Sequence, residues 1–93
     1  MEAMIVTSNQ LRLKLENTFN PLHLEVTDDS HLHQGHTSAP IGGGSHFTVT
    51  IVAEAFKGMS RLERHRRVYA LFDQEFSKGL HALKIIAKTP AEV

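Results

Sequence analysis

Two kinds of apolar periodicity alternate along the chain. From about Thr7 to Phe19, Leu11, Leu15 and Phe19 recur every four residues, which predicts a helix with one buried stripe. Thr7 followed by Gln10 has the spacing of a capping box. Asn20-Pro21 ends the helix, because Pro21 has no N–H to donate and biases Asn20 away from helical backbone. Leu22, Leu24 and Val26 then alternate with His23, Glu25 and Thr27, and Phe47, Val49 and Ile51 alternate with Thr48 and Thr50. A period of two with one apolar parity predicts two strands, each with one buried face. Ser60 and Glu63 repeat the capping-box spacing. Behind them Leu62, His65, Tyr69, Phe72 and Phe76 step by three and four, the stripe of one helix of nearly five turns, with His65 expected in the core. Lys78-Gly79 closes it, glycine suiting the left-handed position just past a helix end. A third strand, from about His81 to Lys88, carries apolar residues on both parities, which predicts the more enclosed strand.

The predicted order is helix, strand, strand, helix, strand. Two consecutive strands pair antiparallel, and a helix before the third makes a crossover. The expected architecture is a single α+β domain over residues 1–93, a three-stranded mixed sheet with its helices on one face. The first two strands are separated by a loop of about sixteen residues from Ser30 to Ser45, with Pro40 and Gly42, Gly43 and Gly44 inside it. Loops beyond about 12–15 residues are uncommon in compact domains and tend to be mobile or functional.

Composition narrows the chemistry. The 93 residues carry ten basic and ten acidic side chains, a formal net charge of zero. That excludes a polycation coating nucleic acid or an acidic membrane, and any basic patch must be local. No run of about 18 apolar residues is present to span a bilayer, and the start lacks the features of a secretory signal, so a cytoplasmic setting is expected; a matured organellar protein would read the same way. The chain has no cysteine, so it supplies neither a disulfide nor a thiolate ligand.

Histidine is the enriched type: seven in all, four of them (His31, His33, His36 and His46) between positions 31 and 46. Imidazoles on one loop can converge on a metal, and a stand-alone metal buffer built from these four is one reading; solvated loop residues are the other. A Ser30–His–Asp28 triad is rejected, because loop neighbours seldom reach triad geometry and no oxyanion signature accompanies them. His81 differs in kind, since it opens a strand two residues after a helix-ending glycine and its direction is set by the scaffold. Arg61, Arg64, Arg66 and Arg67 against Glu63 leave +3 at the start of the second helix. That order opposes the helix dipole by about 0.3–1 kcal/mol per charge, and an anionic partner would account for it. A solvated charged face is the alternative, and no aromatic residues interleave for base stacking.

Asp28-Asp29-Ser30-His31-Leu32-His33, Ser45-His46-Phe47, Arg64-His65-Arg66-Arg67-Val68-Tyr69 and Gly79-Leu80-His81-Ala82-Leu83, taken in order, resemble the BolA-like family over nearly the whole chain, about Leu11 to Pro90. The resemblance implies a KH-like (class II) α+β domain without enzymatic activity. It implies partnership with a monothiol (CGFS-type) glutaredoxin and glutathione through a bridging 2Fe–2S cluster, in iron–sulfur trafficking and iron regulation. His81 is the cluster ligand so implied. The second comes from the loop between the first two strands, which counting from Asp28-Asp29-Ser30 is His33, with His31 and His36 as alternatives. The other two ligands would be the glutaredoxin cysteine and glutathione, in keeping with a chain that lacks cysteine, and no cluster is expected on the isolated chain. Two imidazoles in place of thiolates should raise the cluster potential, as in Rieske centres. Some family members are described as DNA-binding transcriptional regulators, so the alternative function is DNA binding through the Arg-rich second helix, with Arg61, Arg64 and Arg67 as partner or nucleic-acid contacts. The nucleic-acid G-x-x-G loop is absent, since Gly58-Met59-Ser60-Arg61 keeps only its first glycine. Whether the apo-protein forms a homodimer is left open.

Overall fold

The structure, a computed structural model, describes residues 6–30 and 45–93. Helix α1 (Ser8–Phe19) starts on a reciprocal capping box: the Thr7 hydroxyl accepts from the Gln10 N–H at 3.2 Å and Gln10 Oε1 accepts from the Thr7 N–H at 3.0 Å. Its buried residues are Leu11, Leu15 and Phe19, the stripe that the spacing predicts. Asn20 ends it in the left-handed conformation, φ 47°. Strand β1 (His23–Asp28) pairs antiparallel with β2 (His46–Val52), and β3 (Ala82–Lys88) lies parallel on the other side of β2. The sheet is mixed and ordered β1-β2-β3, with the helices on one face, as the pattern predicts.

Two details of the strands differ from the pattern. The central strand is β2, whose Phe47, Val49 and Ile51 are fully buried under the helices, while β3 is an edge. The second parity of β3 is not enclosed: Ala82 is exposed, and Ile86 stands half-buried on the open face of the sheet. Leu22 belongs to no buried face and is 70% exposed; its N–H bonds to the Val52 carbonyl at 2.8 Å, just ahead of the strand proper.

The long second helix is two helices, α2 (Arg61–Ala70) and α3 (Asp73–Ser77). At the break the Leu71 and Phe72 N–H groups bond back three residues, to Val68 and Tyr69, and Phe72 leaves helical backbone at φ −113°, ψ 23°. The Lys14 ammonium from α1 takes the Leu71 carbonyl at 3.2 Å and the Glu75 carboxylate at 2.9 Å, so a side chain satisfies what an uninterrupted helix would bond internally. The buried stripe is correspondingly rotated from the predicted one. Arg64, Val68, Phe72 and Glu75 face inward, whereas Leu62 is 57% exposed and His65 lies on the surface instead of in the core. Gly79, at φ 123°, turns the chain into β3 with the Leu80 N–H bonded to the Glu75 carbonyl at 3.0 Å, a Schellman closure. Leu11, Leu15, Phe19, Phe47, Val49, Ile51, Phe56, Val68, Phe72, Leu80 and Leu83 make up most of one core. Among the described residues no helix is long and apolar enough to cross a membrane.

Candidate functional site

Among the described residues, Asp28-Asp29-Ser30, Ser45-His46 and His81 gather at one end of the sheet, at the two roots of the long loop. Ser30, 1% exposed, holds both sides of that gap: its hydroxyl accepts from the Ser45 N–H at 2.9 Å and the His46 N–H at 3.1 Å. Asp28 fixes Ser30 in turn, its carboxylate accepting from the Ser30 N–H at 2.9 Å. Asp29 donates its N–H to the His46 carbonyl at 2.7 Å and takes the Thr48 hydroxyl on its carboxylate. The Asp-Asp-Ser and Ser-His segments are therefore the two halves of one clamp, and their side chains do what the backbone ladder cannot at a strand end.

The clamp reaches β3 directly. The Ser45 carbonyl accepts from the His81 N–H at 2.7 Å and the Ala82 N–H at 3.1 Å. The β2–β3 register sets His46 opposite Ala82, and the His46 and His81 rings stand 6.1 Å apart between centroids. His81 is exposed; His46 is half-buried, with Nδ1 at 2.8 Å from the Ser45 hydroxyl. His31, His33 and His36 lie outside the described residues. The sequence reading grouped His46 with the loop histidines and did not pair it with His81. Ser45-His46 and Leu80-His81 stand at the starts of β2 and β3, and only the parallel register of those two strands brings the histidines together. Among the described residues no three His, Asp or Glu side chains converge as a metal site. Two imidazoles here can supply at most part of a coordination shell, and further donors must come from the loop or from another molecule.

The arginines divide. Arg64, expected on a contact surface, is 8% exposed and committed internally. Its guanidinium grips Glu92 in a two-pronged pair at 2.6 and 3.0 Å, and donates to the Ala87 and Met59 carbonyls, each at 3.1 Å. That pair, with the Thr89 N–H, holds the Glu92 carboxyl down to about 2, and it raises Arg64 further above its ordinary value. Arg61, Arg66 and Arg67 are exposed. The start of α2 is already occupied by an anion: Glu63 Oε1 accepts from the Ser60 N–H at 2.8 Å, which lowers the Glu63 pKa.

An α-β-β-α-α-β two-layer domain, with the ends of its long loop clamped beside a histidine that precedes β3, defines a class, and the comparisons agree with it. The chain belongs to the BolA-like family, whose description, BolA-like protein, matches residues 15–92. A solved BolA domain of SufE1 from Arabidopsis thaliana superimposes with a TM-score of 0.84 at 48% identity, covering 92% of this chain and 94% of that one. SufE-like protein 1, chloroplastic/mitochondrial, of the same plant is 49% identical over 90% of this chain, which spans only 24% of that relative's length. The DNA-binding transcriptional regulator BolA of Haemophilus influenzae is 35% identical over 85% of this chain and 73% of its own.

Proposed function

We propose that this protein is a non-enzymatic adaptor that binds a monothiol glutaredoxin and shares with it a glutathione-ligated 2Fe–2S cluster, in iron–sulfur trafficking and iron regulation. His81 is one ligand from this chain and His33 the other, with His31 and His36 as competitors for the second position. The observation that carries the reading is the clamp: Ser30 and Ser45 hold the loop's two roots together, and the Ser45 carbonyl is bonded to the His81 N–H. His33 is three residues from Ser30, a span of at most about 10 Å, so it is tethered within a short reach of the clamp. The donor chemistry fits a shared cluster, because a chain without cysteine supplies imidazoles only and leaves two positions for thiolates. The cluster is cargo held between two proteins. The Arabidopsis relative, named chloroplastic/mitochondrial, supports the organellar alternative to a cytoplasmic setting.

The test is to mix the protein with a monothiol glutaredoxin carrying its cluster and glutathione, and to follow the visible spectrum and the mass of the complex. A heterodimer with a shifted spectrum is expected, lost in His81→Ala. Comparing His33→Ala, His31→Ala and His36→Ala separates the loop candidates. A spectrum that does not change on mixing, or that survives His81→Ala, overturns the assignment.

DNA binding is the second reading, favoured by the exposed Arg61, Arg66 and Arg67 and by the name of the Haemophilus relative. Arg64 is spoken for by Glu92, and Glu63 fills the place where a helix start would receive a phosphate. Each phosphate contact would add a slope of about −0.9 to a plot of log affinity against log salt. Binding that is absent or insensitive to salt rejects this reading.

A further inference from the structure

The outer edge of β3 has no strand beside it among the described residues. The Ala82 N–H and the Lys88 carbonyl both bond toward β2, to Ser45 and from Ala53. By the alternation of a parallel ladder, Leu83, Ile85 and Ala87 then turn their N–H and C=O groups outward. Arg64 fits this parity, because it reaches the Ala87 carbonyl from outside the sheet at 3.1 Å. Beyond that edge opens a groove of about 690 Å³, with Ile85, Ile86 and Ala87 on the strand side and Arg61 and His65 on the α2 side. His65 is held there by stacking on Tyr69, centroids 4.9 Å apart, and Tyr69 on Phe76 at 4.8 Å.

The groove is basic. Glu92 is its one acid and is neutralised by Arg64, while Arg61 and Lys88 are exposed and form no ion pair among the described residues. We propose that this groove binds an extended acidic segment of a client protein, which adds to the sheet as a fourth strand along β3. The backbone groups of Ile85 and the Ala87 N–H pair with it; one set of alternate side chains rests on Ile86, and the other set, its carboxylates, enters the groove lined by Arg61 and Lys88. The Arg64–Glu92 pair closes the far end of the edge and limits the added strand to about five residues. It also shows that a carboxylate is a ligand this groove already accepts.

A nucleic-acid strand fits less well. The start of α2 carries the Glu63 carboxylate, and the remaining cations, Arg66 and Arg67, line a separate surface with Met59 and Ala70. Successive phosphates would find no continuous row of partners. The groove begins three residues into β3, whereas His81 precedes the strand, so it leaves the cluster end free. It would make the protein a two-ended adaptor, and it does not rest on the cluster reading.

The experiment is an NMR titration of the ¹⁵N-labelled full chain with the blocked peptide acetyl-Thr-Glu-Val-Glu-Val-Glu-Thr-amide. The expected result is shifts and slowed exchange at the Ile85 and Ala87 amides, with no response to the same peptide carrying Lys for Glu. The double variant Arg61→Ala, Lys88→Ala, both exposed sites, should fold as the parent does and weaken binding by about three- to tenfold, two rim charges at their usual worth. Absence of shifts at Ile85 and Ala87 overturns the proposal. So does a mixed ten-nucleotide single strand that shifts these residues when the peptide does not, or a Lys peptide that binds equally well. No cluster or glutaredoxin is present, so failure here leaves the His81 spectral test untouched, and failure there leaves this titration untouched.

Discussion

Ser30 shows how much one hydroxyl can organise. It lies buried at the mouth of the long loop and accepts two backbone N–H groups from the other side, those of Ser45 and His46. Removing it leaves both donors without that acceptor, so Ser30→Ala should cost about 1–3 kcal/mol. Hydrogen exchange should accelerate at the Ser45 and His46 amides more than at Val49; equal acceleration at all three would mean that Ser30 acts only through global stability. Arg64 is the counterpart at the opposite end of β3, and its energetics depend on pH through Glu92. The Glu92 carboxyl sits at about 2 against an ordinary 4.5, chiefly because Arg64 hydrogen-bonds it. A folded-state value below the unfolded one means the contribution is complete above about pH 4.5 and is lost as pH falls toward 2. Glu92→Gln should therefore lower the urea midpoint at neutral pH, and the gap to the parent should close between those limits. A gap that persists unchanged near pH 2 would show that the carboxylate charge is not what stabilises the turn.

The interruption between α2 and α3 is written by a residue 57 positions away in the chain from the carbonyl it captures. Lys14 is partly exposed, but the Glu75 side chain it meets is only 8% exposed. Lys14→Met should cost about 1–3 kcal/mol by stranding that carboxylate. Adding Glu75→Leu should recover much of the loss, since a buried ion pair replaced by apolar side chains is often neutral. Chemical denaturation of the four members of this cycle reads the coupling; simple additivity would mean the two side chains do not depend on each other. The same contact explains which elements the sequence could disclose. Both capping boxes, the stripe of α1 and the alternation of β2 follow from residues a few positions apart, and all appear in the structure as the spacing predicts. The stripe of α2 does not, because its inward face is set by Arg64, whose acidic partner stands 28 residues downstream, and no hydropathy pattern marks an arginine as buried. His81 was readable as a scaffolded residue from the glycine and strand that flank it. Its neighbour His46 was not, since that proximity exists only through the parallel β2–β3 register.

At the scale of the whole molecule, β3 separates stability from the proposed partner chemistry along its length. Leu83, its second residue, lies in the core with Ile85 and Ala87 packed against it, its far end is closed by the Arg64–Glu92 pair, and the exposed His81 just ahead of it is joined to the fold by a backbone bond that any residue could make. Among the described residues the side chain of His81 thus has no structural duty, apart from lying 6.1 Å from His46. Exposed substitutions away from special features usually fall within about 0.5 kcal/mol, so His81→Ala should leave the denaturation midpoint almost unchanged. On the proposed reading it should still abolish the spectrum formed with a monothiol glutaredoxin. This pairing of outcomes gives the ligand test its force, because a variant that loses the cluster while keeping its fold has lost a donor and nothing else. If His81→Ala instead proves destabilised by more than about 1 kcal/mol, the imidazole holds the strand end in place, and a lost spectrum would be explained by a loosened clamp at Ser45. Circular dichroism melts of the two apo-proteins, run before any cluster is added, decide between these outcomes.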